Sequence, residues 1–152
     1  KGSNTSDFVV GQVWGRIGSE KFLVYQIRER MGFTETIQAV QSLSHAYPDA
    51  RAKLIEDTAN GPAIIDSLKK KVPGLIAVRA EGSKESRISA VSPEFEAGNI
   101  YIPDHSLYPW IPQLIEELCT FPNAPNDDIV DALSQGISRL SRAVTTPRIS
   151  IL

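Results

Sequence analysis

Apolar positions along the chain recur at two spacings, and each change of spacing marks an element. Residues 8–14 (FVVGQVW) are dense in β-branched and aromatic side chains, residues 15–20 are turn material, and residues 21–27 (KFLVYQI) repeat the strand composition. This pattern predicts a β-hairpin. Thr34 then stands where an N-cap belongs, ahead of a helix to about Tyr47 whose Ile37, Val40, Leu43 and Tyr47 share one face, and Pro48 stops it. Residues 52–56 (AKLIE) form a short apolar strand. A second helix opens at Asn60-Gly61-Pro62, with proline at the first helical position, where its missing N–H costs nothing, and ends near Lys71.

The alternation continues. Residues 75–78 (LIAV) read as a strand, and the polar residues 79–87 lead into a helix. Ser92-Pro93-Glu94 starts a separate helical turn that Gly98 closes, and residues 99–102 (NIYI) suit an edge strand. Trp110, Ile111, Leu114, Ile115 and Leu118 have the spacing of an amphipathic helix. A last helix over 128–144 carries Ile129, Leu133, Ile137, Leu140 and Val144 on one stripe. A hairpin followed by α-β-α-β and then helices implies an α/β fold, with a mixed sheet, antiparallel at its N-terminal side, and helices on both faces. Without repeats, low-complexity tracts or a long linker, residues 1–152 read as a single domain. Residues 1–6 (KGSNTS) are turn material with no element before them, so the expectation is that something upstream has been removed.

Composition narrows the function classes. At 41% hydrophobic and 22% charged residues, the 152-residue chain can fold around a core. It has no apolar run of the ~20 residues a membrane span needs, and residues 1–10 lack a signal-peptide pattern. The lone Cys119 excludes an internal disulfide framework and a cysteine zinc site, and fits a reducing compartment. A net charge of −2 makes no global case for nucleic acid.

Two acidic groups stand out as candidate chemistry. Glu56-Asp57 closes a strand and enters a loop, and α/β folds build their sites at the carboxyl ends of strands. The competing reading is that Asp57 and Asn60 merely cap the following helix. The second group is Asp127, Asp128 and Asp131, which steps of ~100° place on one face, away from the stripe of Ile129, Leu133 and Ile137. Acids favour helix N-termini, so a solvated face is one explanation. The other is a hard cation, because like charges at these spacings repel by tenths of a kcal/mol per pair, and oxygen ligands without His or Cys suit Mg²⁺ or Mn²⁺. A strand-end Glu56 converging with the Asp residues would make a two-metal site for phosphodiester cleavage. There is no phosphate-binding loop and no nucleophile elbow. His45 and His105 read as surface residues and Cys119, beside Leu118 at the end of an apolar helix, as a small hydrophobe.

Four segments, in order, carry a family resemblance: SDFVVGQVWG, LIEDTANGPAII, SKESR followed by EAGNIYIP, and FPNAPNDDIVDALSQ. Over residues 6 to about 140 the chain resembles the C-terminal nuclease domain of the large terminase subunit of tailed bacteriophages. The resemblance implies an RNase H-like, resolvase-like fold and metal-dependent endonucleolytic cleavage of concatemeric double-stranded DNA during genome packaging, with Mg²⁺ or Mn²⁺ in a two-metal site. It makes Glu56 the ligand on the central strand with Asp57 as its neighbour, matches Asp128 and Asp131 to the acids of the last helix, and leaves Asp127 as an outer partner. It places Lys84 and Arg87 at a basic position that contacts phosphate or the site's carboxylates, or is a solvated loop. Further candidates for DNA contact are Arg28 and Arg30 at the end of the second hairpin strand, and residues 69–71, whose simpler reading is a helix C-terminal charge cluster.

Implied partners are double-stranded DNA and, in the full protein, the ATPase domain, the small terminase subunit and the portal, in the host cytoplasm at the procapsid. The chain departs from the family pattern twice. The first strand with its Asp lies ahead of Lys1, which leaves Asp7 as a doubtful substitute, and the ATPase motor is not in this sequence. The alternatives are an inactive DNA-binding or portal-docking module, or another RNase H-like nuclease of the resolvase or transposase type. With no long exposed apolar face, the isolated domain is expected to be a monomer.

Overall fold

The computed structural model describes residues 7–142 and 149–151. In chain order the elements are β1 (Phe8–Ile17), β2 (Glu20–Arg30), α1 (Phe33–Ala46), β3 (Ala50–Glu56), α2 (Gly61–Leu68), β4 (Leu75–Val78), α3 (Lys84–Glu96), β5 (Ile100–Tyr101), α4 (Trp110–Thr120), α5 (Asp128–Arg142) and β6 (Ile149–Ile151). They build one mixed sheet in the order β4-β3-β6-β1-β2-β5. β1 pairs antiparallel with β2 and β6, while β3 runs parallel to β4 and β6. The mixed sheet and its antiparallel hairpin agree with the α/β, RNase H-like expectation.

Side-chain alternation along β1 sorts the helices into two layers. Trp14 faces α3, α4 and α5, in a core with Leu23, Val91, Leu114, Ile129, Leu133, Ile137 and Leu140. Val13, its neighbour, points the other way, to Leu43 of α1 and Ala50. Ile64 and Leu68 of α2 form a third cluster with Ile37 and Val40 of α1 and with Ile55 and Leu75. The stripe on α5 is buried as its spacing predicts, and each of its four apolar side chains contributes about 1.5–3 kcal/mol relative to exposure.

Several boundaries differ from the sequence pattern. The hairpin strands run on to Ile17 and begin again at Glu20, because Gly18 at φ +60° makes a two-residue turn where the pattern suggested residues 15–20. α1 begins one residue before Thr34. Gly32 takes the N-cap position, and the Thr36 hydroxyl donates to its carbonyl at 2.7 Å. Pro62 stands at the second position of α2, after Gly61, and this helix ends at Leu68 rather than Lys71. Residues 84–96 form a single helix that runs through Pro93, not a helix followed by a separate turn. Ser83 caps it through the Ser86 amide, and a partly buried Lys21–Glu94 ion pair at 2.7 Å ties its last turn to β2. β6 is an element the sequence pattern did not suggest, and the Val144 end of the last stripe lies outside the described residues.

Candidate active site

The site takes shape where the sheet opens. β6 lies between β1 and β3 and, among the described residues, pairs with Val13 and Trp14 on one side and with Ala50, Ala52 and Lys53 on the other. Beyond it, residues 8–11 of β1 and residues 54–56 of β3 flank a cavity of about 470 Å³. Its walls include Val40 of α1 and Ile64 of α2, and also Asp128 and Asp131 of α5. The cavity therefore passes through the plane of the sheet and joins the two helical layers.

Glu56 reaches it as the last residue of β3. The Asp57 amide donates to the Val78 carbonyl at 2.7 Å, which ends β3 and β4 side by side. Gly61 lets the start of α2 abut this strand end, since a Cβ there would lie 1.8 Å from the Glu56 carbonyl oxygen. Asn60, at the N-cap of α2, makes no side-chain cap hydrogen bond, and the Asp57 carboxylate lies 3.5 Å from the Arg79 guanidinium. The capping alternative for Asp57 and Asn60 is thereby corrected.

The first turn of α5 supplies the opposite wall. Its start is held from another helix, because the Val130 amide donates to Glu117 of α4 at 3.0 Å. Burial pushes the Glu117 carboxyl up, and the hydrogen bond from Val130 opposes that shift. Sequence reasoning missed Glu117, although a signal was present: it falls on the buried stripe of α4 with Ile111 and Leu114. Asp128 is also raised, first by burial and then by the neighbouring Asp127 charge, with Lys84 and Arg28 pulling the other way.

The acids at the start of α5 and just before it do not share one environment. Asp127 and Asp131 face two cations of α3: Lys84 Nζ lies 2.6 Å from Asp127 Oδ1 and 3.8 Å from Asp131 Oδ2, and the Arg87 guanidinium donates to Asp131. Partial burial works against the Lys84 charge, yet the hydrogen bond to Asp127 and the Asp131 charge outweigh it and raise its pKa. The protein thus supplies cations of its own to a cluster that otherwise repels itself. With the Asp131 side chain only 15% exposed, this is not simply a solvated face. Glu56 and Asp128 make no ion pair among the described residues.

The structure therefore brings Glu56, Asp128 and Asp131 to one cavity, with Asp7 also on its wall, while Asp57 turns to Arg79 and Asp127 to Lys84. Among the described residues, no three His, Cys, Asp or Glu side chains converge closely enough to hold a metal ion. Lys84 and Arg87 contact the carboxylates rather than standing free. Arg28 and Arg30 stack over the Phe8 ring, at 3.7 and 4.2 Å from its centroid, on the β1 wall of the cavity. His45 and His105 are exposed. Cys119, expected to serve as a small hydrophobe, is exposed too, because it falls off the α4 stripe of Ile111, Leu114 and Glu117.

Comparison with known proteins matches residues 1–140 to the model of the family described as Terminase RNaseH-like domain. No curated protein matches the chain.

Proposed function

Because the chain belongs to the terminase RNaseH-like domain family, whose members have a nuclease role in genome packaging, we propose that it is a divalent-metal-dependent endonuclease acting on concatemeric double-stranded DNA. The observation that carries this reading is that Glu56 from β3 and Asp128 and Asp131 from α5 line one cavity.

The donor set is all carboxylate oxygen, which suits Mg²⁺ or Mn²⁺. Glu56 and Asp128 make no ion pair among the described residues, and Asp128 is desolvated beside a like charge that Lys84 and Arg28 only partly offset, so a bound cation would relieve it. These two residues with Asp131 would hold the metal, and Asp57 and Asp127 stand next to them. When bound, a divalent ion lowers the pKa of its water and stabilises the leaving oxygen. The chain's own residues do the rest. Lys84 and Arg87 hold Asp127 and Asp131 in place, and Glu117 keeps the first turn of α5 fixed under Asp128. Arg28 and Arg30 offer guanidinium groups to phosphate at the β1 wall. Double-stranded DNA is the substrate, and the ATPase domain, small terminase subunit and portal are the partners, in the host cytoplasm at the procapsid. Among the described residues no helix is long and apolar enough to cross a membrane.

The test is cleavage of supercoiled plasmid with Mn²⁺ or Mg²⁺. Nicking is expected, and Asp128→Ala is expected to reduce it by at least about 100-fold, in line with several kcal/mol of metal-assisted stabilisation. Cleavage that survives Asp128→Ala would remove this residue from the chemistry. A second reading, a DNA-binding or portal-docking module, is favoured by the absence of a three-carboxylate cluster among the described residues. DNA binding without cleavage at any metal concentration would establish it for this chain.

A further inference from the structure

A second groove, of about 560 Å³, lies along β4 between α3 and α5. Four arginines line it, Arg79 just after β4, Arg87 on α3, and Arg139 and Arg142 on α5, against one acid, Glu81. Arg87 is engaged by Asp131. Arg79 lies near Asp57 but its side chain is 84% exposed. Arg139 and Arg142 have no ion-pair or side-chain hydrogen-bond partner among the described residues. The helix dipole accounts for arginine in the last turn of α5, but it does not account for Arg79 and Arg87 arriving at the same groove from other elements.

The groove adjoins the carboxylate cavity, since Leu54 and Gln135 line both. Asp128, Asp131, Gln135, Ser138 and Arg142 follow one ridge of α5, at spacings of three and four residues. Along it the polarity passes from acid to base between Asp131 and Arg142, about 16 Å at the α-helical rise of ~1.5 Å per residue. That is about five nucleotides of one duplex strand at ~3.4 Å each. Guanidinium forks match phosphate oxygens in pairs.

We propose that this groove seats the duplex backbone flanking the cut, with Arg142 contacting phosphate about five nucleotides from the phosphodiester at Asp128 and Asp131, and Arg79 and Arg139 contacting phosphates along the same groove. The proposal rests on the nuclease reading, and its test separates the two. A labelled 30-base-pair duplex is titrated with the whole chain over a salt series, for the wild type, for R139A/R142A, and for K70A/K71A. The last removes the same number of charges beyond the end of α2, outside the groove. The exposed single variant R142E covers the case in which the half-buried Arg139 affects folding, and thermal denaturation verifies each variant.

The expected result is at least tenfold weaker binding by R139A/R142A, with the slope of log K against log salt reduced by about 2, and a smaller loss for K70A/K71A. R142E should weaken binding in the same sense. The proposal is overturned if the wild type binds duplex and the groove variants bind equally well with the same slope. It is overturned as well if K70A/K71A loses as much, or if the wild type does not bind duplex at all. Plasmid cleavage by the wild type, scored separately, decides the nuclease reading: groove-dependent binding without any cleavage defeats that reading and keeps the groove, whereas cleavage with groove variants unaffected does the reverse.

Discussion

The two halves of the sheet are held together by different means. The β1–β2 half is a long antiparallel hairpin closed by a two-residue turn, with a register shift between Val13 and Trp14, and it buries Trp14, Gln12 and Gln26 in a hydrogen-bonded row. The β3–β4 half is a short parallel pair of four matched residues, hydrogen-bonded to β1, among the described residues, through the three residues of β6. The hairpin is local in sequence and carries the larger core. The parallel pair is non-local and ends at the opening where Glu56 faces α5. Stability thus concentrates on one side of the seam and the candidate chemistry lies along it.

Breaking the hairpin half should have the largest effect. Trp14→Ala removes a fully buried indole and the donor to Gln12 Oε1, so a loss of about 3–5 kcal/mol is expected from urea unfolding. A loss below about 1 kcal/mol would mean that the hairpin core is not the stable half.

At the seam, Gly61→Ala should cost about 1–3 kcal/mol, because the new Cβ would overlap the Glu56 carbonyl and force α2 away from β3. Its distinctive sign is a loss of plasmid cleavage larger than the stability change explains, measured well below the melting temperature. Unchanged stability and cleavage would show that the contact between α2 and the end of β3 does not position Glu56.

The smallest effect concerns the Lys21–Glu94 pair, which ties α3 to the hairpin. The hydrogen bond from Lys21 holds the Glu94 carboxyl below its usual range. A carboxylate whose folded pKa is depressed stabilises above its unfolded pKa, and that contribution is lost as pH falls through the folded value. The stability gap between wild type and Glu94→Gln should therefore be widest near neutral pH and shrink as pH falls below about 4.5, the usual glutamate value. A gap that stays constant on acidification would show that the pair's charge contributes nothing to holding α3.

Local pattern was enough for much of the fold. Residues 75–78 are the strand their composition indicates, the α5 stripe is buried where its spacing places it, and the acids at its start lie off that stripe. The family resemblance carried by four short segments agrees with the family match over residues 1–140. Pro93 was misleading, since α3 continues through a residue that lacks a helical donor, with Val91 buried and Glu94 anchored on either side of it. Glu117 was visible only as a charge on an apolar face, and nothing within α4 says that its partner is an amide of α5.

Residue order by itself determined the succession of elements, the apolar faces and the positions of Glu56, Asp128 and Asp131, because these depend on spacings of two and of three to four residues within one segment. Tertiary structure alone decided that β6 enters between β1 and β3, that Glu56 meets α5 across an open sheet, and that Lys84 and Arg87 neutralise two of the acids. Those contacts join residues dozens of positions apart, and a side chain's partner at that distance follows from packing, which no local periodicity encodes.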